Sequence, residues 1–214
     1  MLHDDLQPDI LISAYLQGYF PMGSPEEPGV IRWYDPDPRG VIPIDGFHVS
    51  RSLARRARQG FTLQLNRDFR ATMLACGNRE TTWITDDIVE AYTMLHKLGF
   101  AHSAEVHAAD GARVGGVYGI ALGRAFFGES MYSAATDGSK MALGGLISLL
   151  GAAGFELFDT QFLTEHLASL GGCEIRKRAY KRQLRTAVSD PSLWRPEPGP
   201  YSVAALLQRM SQTS

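Results

Sequence analysis

The 214-residue chain has only two cysteines, Cys76 and Cys173. They supply neither a disulfide framework nor a zinc-ligand spacing, and they suit a reducing, cytoplasmic compartment. Long apolar runs are missing too. The longest uncharged stretch, MALGGLISLLGAAGF at 141–155, has 15 residues, too few to span a bilayer, and reads as a buried helix. The opening MLHDDLQPD is acidic, without the basic and apolar regions of a signal peptide. No sign of charge dominates: the formal net charge is −2, which does not announce nucleic acid. Of the histidines, His3, His48, His96, His102, His107 and His166, none forms an HExxH pair. His102 and His107 fall on opposite faces of one strand, so no metal site is expected. The glycine-rich GGVYG and GGLISLLGAAG are neither GxGxxG after a strand nor a GK[ST] loop, and GES at 128–130 is not GxSxG.

What is present is ordinary globular composition, 44% hydrophobic and 21% charged, enough for one main core with a smaller unit beside it. Charge is unevenly placed. RKRAYKRQLR at 176–185 holds six basic residues and no acid, and residues 51–70 hold Arg51, Arg55, Arg56, Arg58, Arg67 and Arg70 against Asp68 alone. A solvated helix face is the commoner meaning of such a run; two of them in a near-neutral chain tilt towards a polyanionic ligand.

Pro8 near a first turn and Gly18 beyond the last predict a helix over PDILISAYLQ. The Pro/Gly-rich segment 21–46 reads as a stiff, turning connector that carries Trp33 and Tyr34. Beyond it the pattern predicts a basic helix capped by Ser50, a strand FTLQL and helices RDFRATMLACG and DDIVEAYTMLHKLG. Strands AHSAEVHA, RVGGVYGIALG and RAFFGESMYS follow, then helix GSKMALGGLISLLGAAG and strand FELFDTQF. Helices TEHLASLGG and AYKRQLRTAV close the series. This is an α/β layout, a mixed sheet with helices packed on it, whose last βαβ unit sets Asp159 near a strand's carboxyl end, where open sheets take ligands.

Two carboxylates sit in apolar strands, Glu129 in FFGESM and Asp159 in LFDTQF. Strand alternation puts Phe155, Leu157, Asp159 and Gln161 on one face. A carboxylate beside apolar surface needs a partner or a cleft, and that is where pKa values are shifted for function. Such a pair suits a cationic amine. An acyl-CoA-dependent acyltransferase would need a pyrophosphate loop that YSAATDGSK does not supply. A non-catalytic tRNA- or peptide-binding module would have no use for the acids.

Specific blocks carry more. AYLQGYFPMG, WYDPDPRGVIP, TTWI, LHKLGFAHSAEVH, GGVYGIALGRAFFGESMYS, DGSKMAL and FDTQFLTEHLASLGG together resemble the leucyl/phenylalanyl-tRNA–protein transferase family. The resemblance runs from about residue 10 to residue 182. It implies a small N-terminal domain (1–56) and a larger domain (57–214) with a GNAT-like acyltransferase core and a basic C-terminal helix. It also implies transfer of leucine or phenylalanine from tRNA to proteins beginning with Arg or Lys, which marks them for degradation, with no metal or soluble cofactor and as a monomer. The family's catalytic positions fall on Glu129, Asp159 and Gln161. Asp159 is expected to accept a proton or hydrogen bond from the amine, Gln161 to orient it, and Glu129 to hold the basic acceptor. Its aminoacyl pocket falls on Phe126, Ser130, Met131, Leu143, Leu146, Leu150 and Phe158, its adenosine-stacking aromatics on Trp83 and Trp33. The expected tRNA contacts are Arg51, Arg55, Arg56, Lys177, Arg178, Lys181 and Arg182. The chain departs from the pattern where TDGSK replaces NASK, at Thr164 where asparagine is common, and in HDDLQPD where a GGDLS-type stretch would sit.

Overall fold

The computed structural model describes residues 4–24, 26–27 and 29–212; His3, Pro25 and Pro28 of the stretches above lie outside them. In chain order the elements are α1 (Pro8–Leu16), β1 (Phe20–Gly23), β2 (Ile31–Tyr34), β3 (Arg39–Ile42), α2 (Arg51–Ala57), β4 (Thr62–Leu65), α3 (Phe69–Gly77) and α4 (Asp86–Lys97). There follow β5 (Ala101–His107), β6 (Arg113–Leu122), β7 (Ala125–Ser133), α5 (Gly138–Ala152), β8 (Leu157–Gln161) and α6 (Glu165–Ser169). The last are β9 (Cys173–Ile175), α7 (Lys177–Ala187), β10 (Tyr201–Ser202) and α8 (Val203–Gln212). Helix starts follow side-chain chemistry. Ser50, Asp68, Thr85 and Thr164 each accept a backbone N–H three residues on, a cap worth about 1 kcal/mol against alanine.

One sheet of eight strands, ordered β10-β4-β5-β6-β7-β8-β3-β9, organises the molecule, and β1–β2 form a separate hairpin. Every pairing is antiparallel except β7 with β8, the parallel pair that α5 connects. Side chains alternate across the strands into two cores. One packs Phe126, Phe158, Val117 and Ala104 against α2, α5 and α8. The other packs Phe127, Leu157, Tyr118 and Ile120 against α1, α3, α4 and α7. The uncharged stretch 141–155 is buried, as expected, as far as Leu150, with Met141, Leu143, Leu146 and Leu150 at the centre of the first core, whereas residues 151–154 are exposed. Each such leucine gains roughly 1.5–3 kcal/mol from leaving water. Among the described residues no helix is long and apolar enough to cross a membrane.

The α/β class holds, but the segment 21–46 is not a connector. It supplies the hairpin and β3, an interior strand bonded to β8 on one side and β9 on the other. Proline density hid β3 because its two nearest prolines, Pro38 and Pro43, lie just outside Arg39–Ile42. β9, β10 and α8 are elements beyond those the pattern predicts; the two strands are three and two residues long, too short to show alternation.

Candidate active site

Two irregularities open the sheet. On β7, Tyr118 pairs with Ser130 and Gly119 with Gly128, so Glu129 is an extra residue with no partner across β6. On β8, Val41 pairs with Asp159 and Gly40 with Gln161, which leaves Thr160 as the extra residue, and Gln161 turns to φ 60°. Bulges re-aim side chains and end pairing. The parallel ladder of β7 and β8 stops at Phe127 and Asp159. Beyond that point the strands part, and Glu129 and Gln161 face the gap.

The gap is a cleft of about 800 Å³, walled by Phe20, Met22, Trp83 and Phe162, with Glu129, Ser130, Met131, Thr160 and Gln161 at its floor and Arg79 and His166 also in its lining. From the floor opens a smaller cavity of about 80 Å³ lined by Val117, Met131, Leu143, Phe158 and Leu167. Six residues border both spaces: Glu129, Ser130, Met131, Thr160, Gln161 and Leu167.

Glu129 is half-buried and held by three donors. The Tyr15 hydroxyl donates to Oε1 at 2.7 Å, Gln161 Nε2 to the same oxygen at 3.2 Å, and the Tyr92 hydroxyl reaches Oε2 at 3.5 Å. The Tyr15 and Tyr92 hydroxyls also touch each other. Loss of water around the carboxyl pushes its pKa up to about 8; the Tyr15 hydrogen bond and Arg39 pull down, while the Asp159 charge adds to the rise. Burial and the Glu129 charge hold both tyrosines well above their ordinary range, so they stay protonated donors.

Asp159 is elsewhere. It is 0% exposed, and Arg39, equally buried, grips it with Nε on Oδ1 at 2.9 Å and Nη2 on Oδ2 at 2.7 Å. The Tyr180 hydroxyl donates to Oδ2 at 2.6 Å and the Gln161 backbone N–H to Oδ1 at 2.8 Å. Four donors fill the roughly four lone-pair sites of a carboxylate, so none is left for a substrate amine. The direct amine contact expected of Asp159 gives way to an anchoring one: it fixes the backbone of Gln161 in its left-handed turn. The guanidinium of Arg39 is sandwiched between the rings of Tyr180 and Phe20, its carbon 4.4 Å and 5.0 Å from their centroids. Burial works against the Arg39 charge and Asp159 more than restores it. The single face expected for β8 is broken in the same place. Phe155 precedes the strand and packs in the core opposite Leu157, and Gln161 leaves the alternation.

The remaining expectations divide. Trp83, Ser130, Met131, Leu143 and Phe158 line the two spaces. Phe126, Leu146 and Leu150 stand behind the wall as core, Phe126 stacked on Phe158 with centroids 5.4 Å apart. Trp33 lies on the other face of the hairpin, in a separate groove with Tyr19, Ile10 and Gln17. Phe20 and Met22, which flank its β1 partner Pro21, face the cleft instead. Arg51, Arg55, Arg178 and Arg182 are exposed. Arg56 donates to the Thr136 carbonyl at 3.0 Å. Lys177 and Lys181 are tied to Asp35 at 3.3 and 3.0 Å. Sequence reasoning missed Tyr15, Tyr92, Arg39 and Tyr180. The one available signal was that a carboxylate in an apolar strand demands a cation; it could not say which of many arginines answers.

A cleft with an apolar annex, a carboxylate and an amide at their junction, and no lining serine bonded to a histidine among the described residues is the layout of an acyl-transfer enzyme that works by placing its reactants. Burial pushes the Cys76 thiol up to about 12, which removes it as a nucleophile. The profile described as leucyl/phenylalanyl-tRNA protein transferase matches residues 41–185, and that of the same protein's N-terminal domain matches 4–37. The leucyl/phenylalanyl-tRNA–protein transferase of Cereibacter sphaeroides (strain ATCC 17025) is 52% identical over 98% of both chains, and that of Ruegeria pomeroyi 49% identical over 98% of this chain and 99% of its own. The chain belongs to the leucyl/phenylalanyl-tRNA protein transferase family. A solved structure of FemX aligns with 83% of this chain and 65% of its own at 14% identity and a TM-score of 0.47.

Proposed function

We propose that the protein moves leucine or phenylalanine, with methionine as a third donor, from aminoacyl-tRNA to the α-amino group of proteins beginning with Arg or Lys. The products are marked for N-degron degradation in the cytoplasm, and one chain suffices without a cofactor. The observation that carries this reading is the junction itself: an apolar cavity for the donor side chain meets, at Glu129, a carboxylate open to a cationic acceptor.

The donor is already an activated ester, and an α-amine has a pKa of about 7.7–8.0, so roughly a tenth to a sixth of it is already neutral at pH 7. Orientation alone supplies on the order of 7–11 kcal/mol in favourable cases. Gln161 and Glu129 set the amine against the ester, while Asp159, Arg39 and Tyr180 hold Gln161 from behind. Trp83 takes the terminal adenosine on the cleft wall. An unbranched or γ-branched side chain enters past Met131 and Thr160, whereas β-branching collides at the neck.

Incubation with radiolabelled leucyl-tRNA and a peptide starting with Arg tests the reading; label should enter the peptide, and label that stays on tRNA would refute it. The tRNA body is held through phosphates by Arg51, Arg55, Arg178 and Arg182, without base readout. Arg178→Ala and Arg182→Ala are each expected to lower the slope of log affinity against log salt by about 1. Lys177→Ala is expected to change it less, because that charge is spent on Asp35. Equal slopes in filter binding for wild type and both arginine variants would remove α7 from the tRNA surface.

A further inference from the structure

The geometry points to Oε2 of Glu129 as the atom that takes the proton of the acceptor's α-ammonium group, with Tyr15 and Tyr92 as the positioning residues that hold the carboxylate for it. This rests on the aminoacyl-transfer reading and sharpens it. A donor side chain in the small cavity leaves its ester carbonyl at the neck, where Glu129, Thr160 and Gln161 border both spaces. A nucleophile must approach that carbon to roughly 3–3.5 Å. The nitrogen beside Glu129 is therefore the reacting one, and the acceptor's long basic side chain runs up the cleft.

The choice of oxygen follows from the hydrogen bonds. Oε1 already receives Tyr15 at 2.7 Å and Gln161 at 3.2 Å, while Oε2 has only the long 3.5 Å approach of Tyr92. Asp159 has no acceptor site left. Burial that lifts Glu129 to about 8 matches the base to its substrate, since transfer between groups of similar pKa is near thermoneutral. The titratable groups that face Glu129 are Tyr15 from α1, Tyr92 from α4, Tyr118 from β6, Arg39 from β3 and Asp159 from β8. In the step, one N–H bond of the ammonium breaks, its electron pair stays on nitrogen and the proton binds Oε2. The neutral amine adds to the ester carbon, the bond to the ribose oxygen breaks, and a second amine proton ends on that oxygen. Glu129 returns its proton to water as product leaves.

The test is kcat and KM for an Arg-initiated peptide against pH at saturating leucyl-tRNA, for wild type, Glu129→Gln and Tyr15→Phe, with unfolding midpoints to confirm the fold. Glu129→Gln should lower kcat by about 10²–10⁴-fold, the usual worth of a general base, with little change in peptide KM. The wild-type rate should climb as Glu129 ionises. Tyr15→Phe removes a donor that favours the ionised form, so this limb should move to higher pH. Glu129→Gln with an intact kcat and a raised KM would show that Glu129 merely binds the basic side chain. A Tyr15→Phe rate reduced equally at every pH would give the tyrosine a purely structural part, and either result overturns the assignment. Wild type that transfers no leucine to any peptide would overturn the aminoacyl-transfer reading itself.

Discussion

Arg39→Met should destabilise the protein by about 3–5 kcal/mol, the usual cost of removing one partner from a buried ion pair. Its loss strips Asp159 of two donors and leaves the Gly18 carbonyl, 2.9 Å from Nη1, without one. The charge left on Asp159 would be buried, with only Tyr180 and the Gln161 N–H beside it. The paired replacement Arg39→Met/Asp159→Leu should recover much of that stability, because two apolar side chains need no such compensation. It should nonetheless transfer leucine far more slowly, since Gln161 loses the oxygen that pins its backbone. Urea unfolding and transfer rates on the same samples check both halves. A single variant within 1 kcal/mol of wild type would mean that the pair contributes little, and an active double variant would detach Asp159 from the site.

Phe158→Ala should turn the enzyme towards larger donors. The cavity behind Glu129 holds about 80 Å³, close to an isobutyl group, whereas an engineered cavity that takes benzene has about 150 Å³. Wild type should accordingly use leucyl-tRNA better than phenylalanyl-tRNA. Removing the ring that closes the cavity should raise the Phe-to-Leu ratio of kcat/KM by about 10–200-fold, the range that a single methylene spans in an apolar pocket. It also breaks the stack on Phe126, at a cost of about 3–5 kcal/mol. Competition between the two charged tRNAs reads the ratio directly; a ratio unchanged in a folded variant would place donor selection elsewhere.

The sequence made regular periodicity legible. Eleven helix and strand spans beyond residue 48 lie within a few residues of their expected bounds, because caps such as Ser50 and alternation such as that of β5 are local properties. Glu129 and Gln161 were legible as polar residues out of place in apolar strands, and the cleft puts them together. Asp159 gave the same local signal and means something different, because its partner lies 120 residues away and only pairing of β3 with β8 brings Arg39 to it. Trp33 and Met22 show the same limit in miniature. Successive positions of the hairpin present opposite faces, Trp33 with its partner Pro21 on one and Met22 on the other, and no local pattern says which face meets the cleft. Phe126, Leu146 and Leu150, expected as lining, lie one layer deeper in the core, a distinction that composition cannot make.

The position of β3 between β8 and β9 has a consequence for synthesis. During translation this strand leaves the ribosome early, yet both of its hydrogen-bonded neighbours are encoded more than a hundred residues later. Pairings of such sequence separation are slow to close, and chains emerge at about 5–20 residues per second. The nascent protein must therefore keep the unpaired edges of β3 waiting through most of its own production. Arg39 meets Asp159 only near the end, so the floor of the cleft is among the last parts of the molecule to exist.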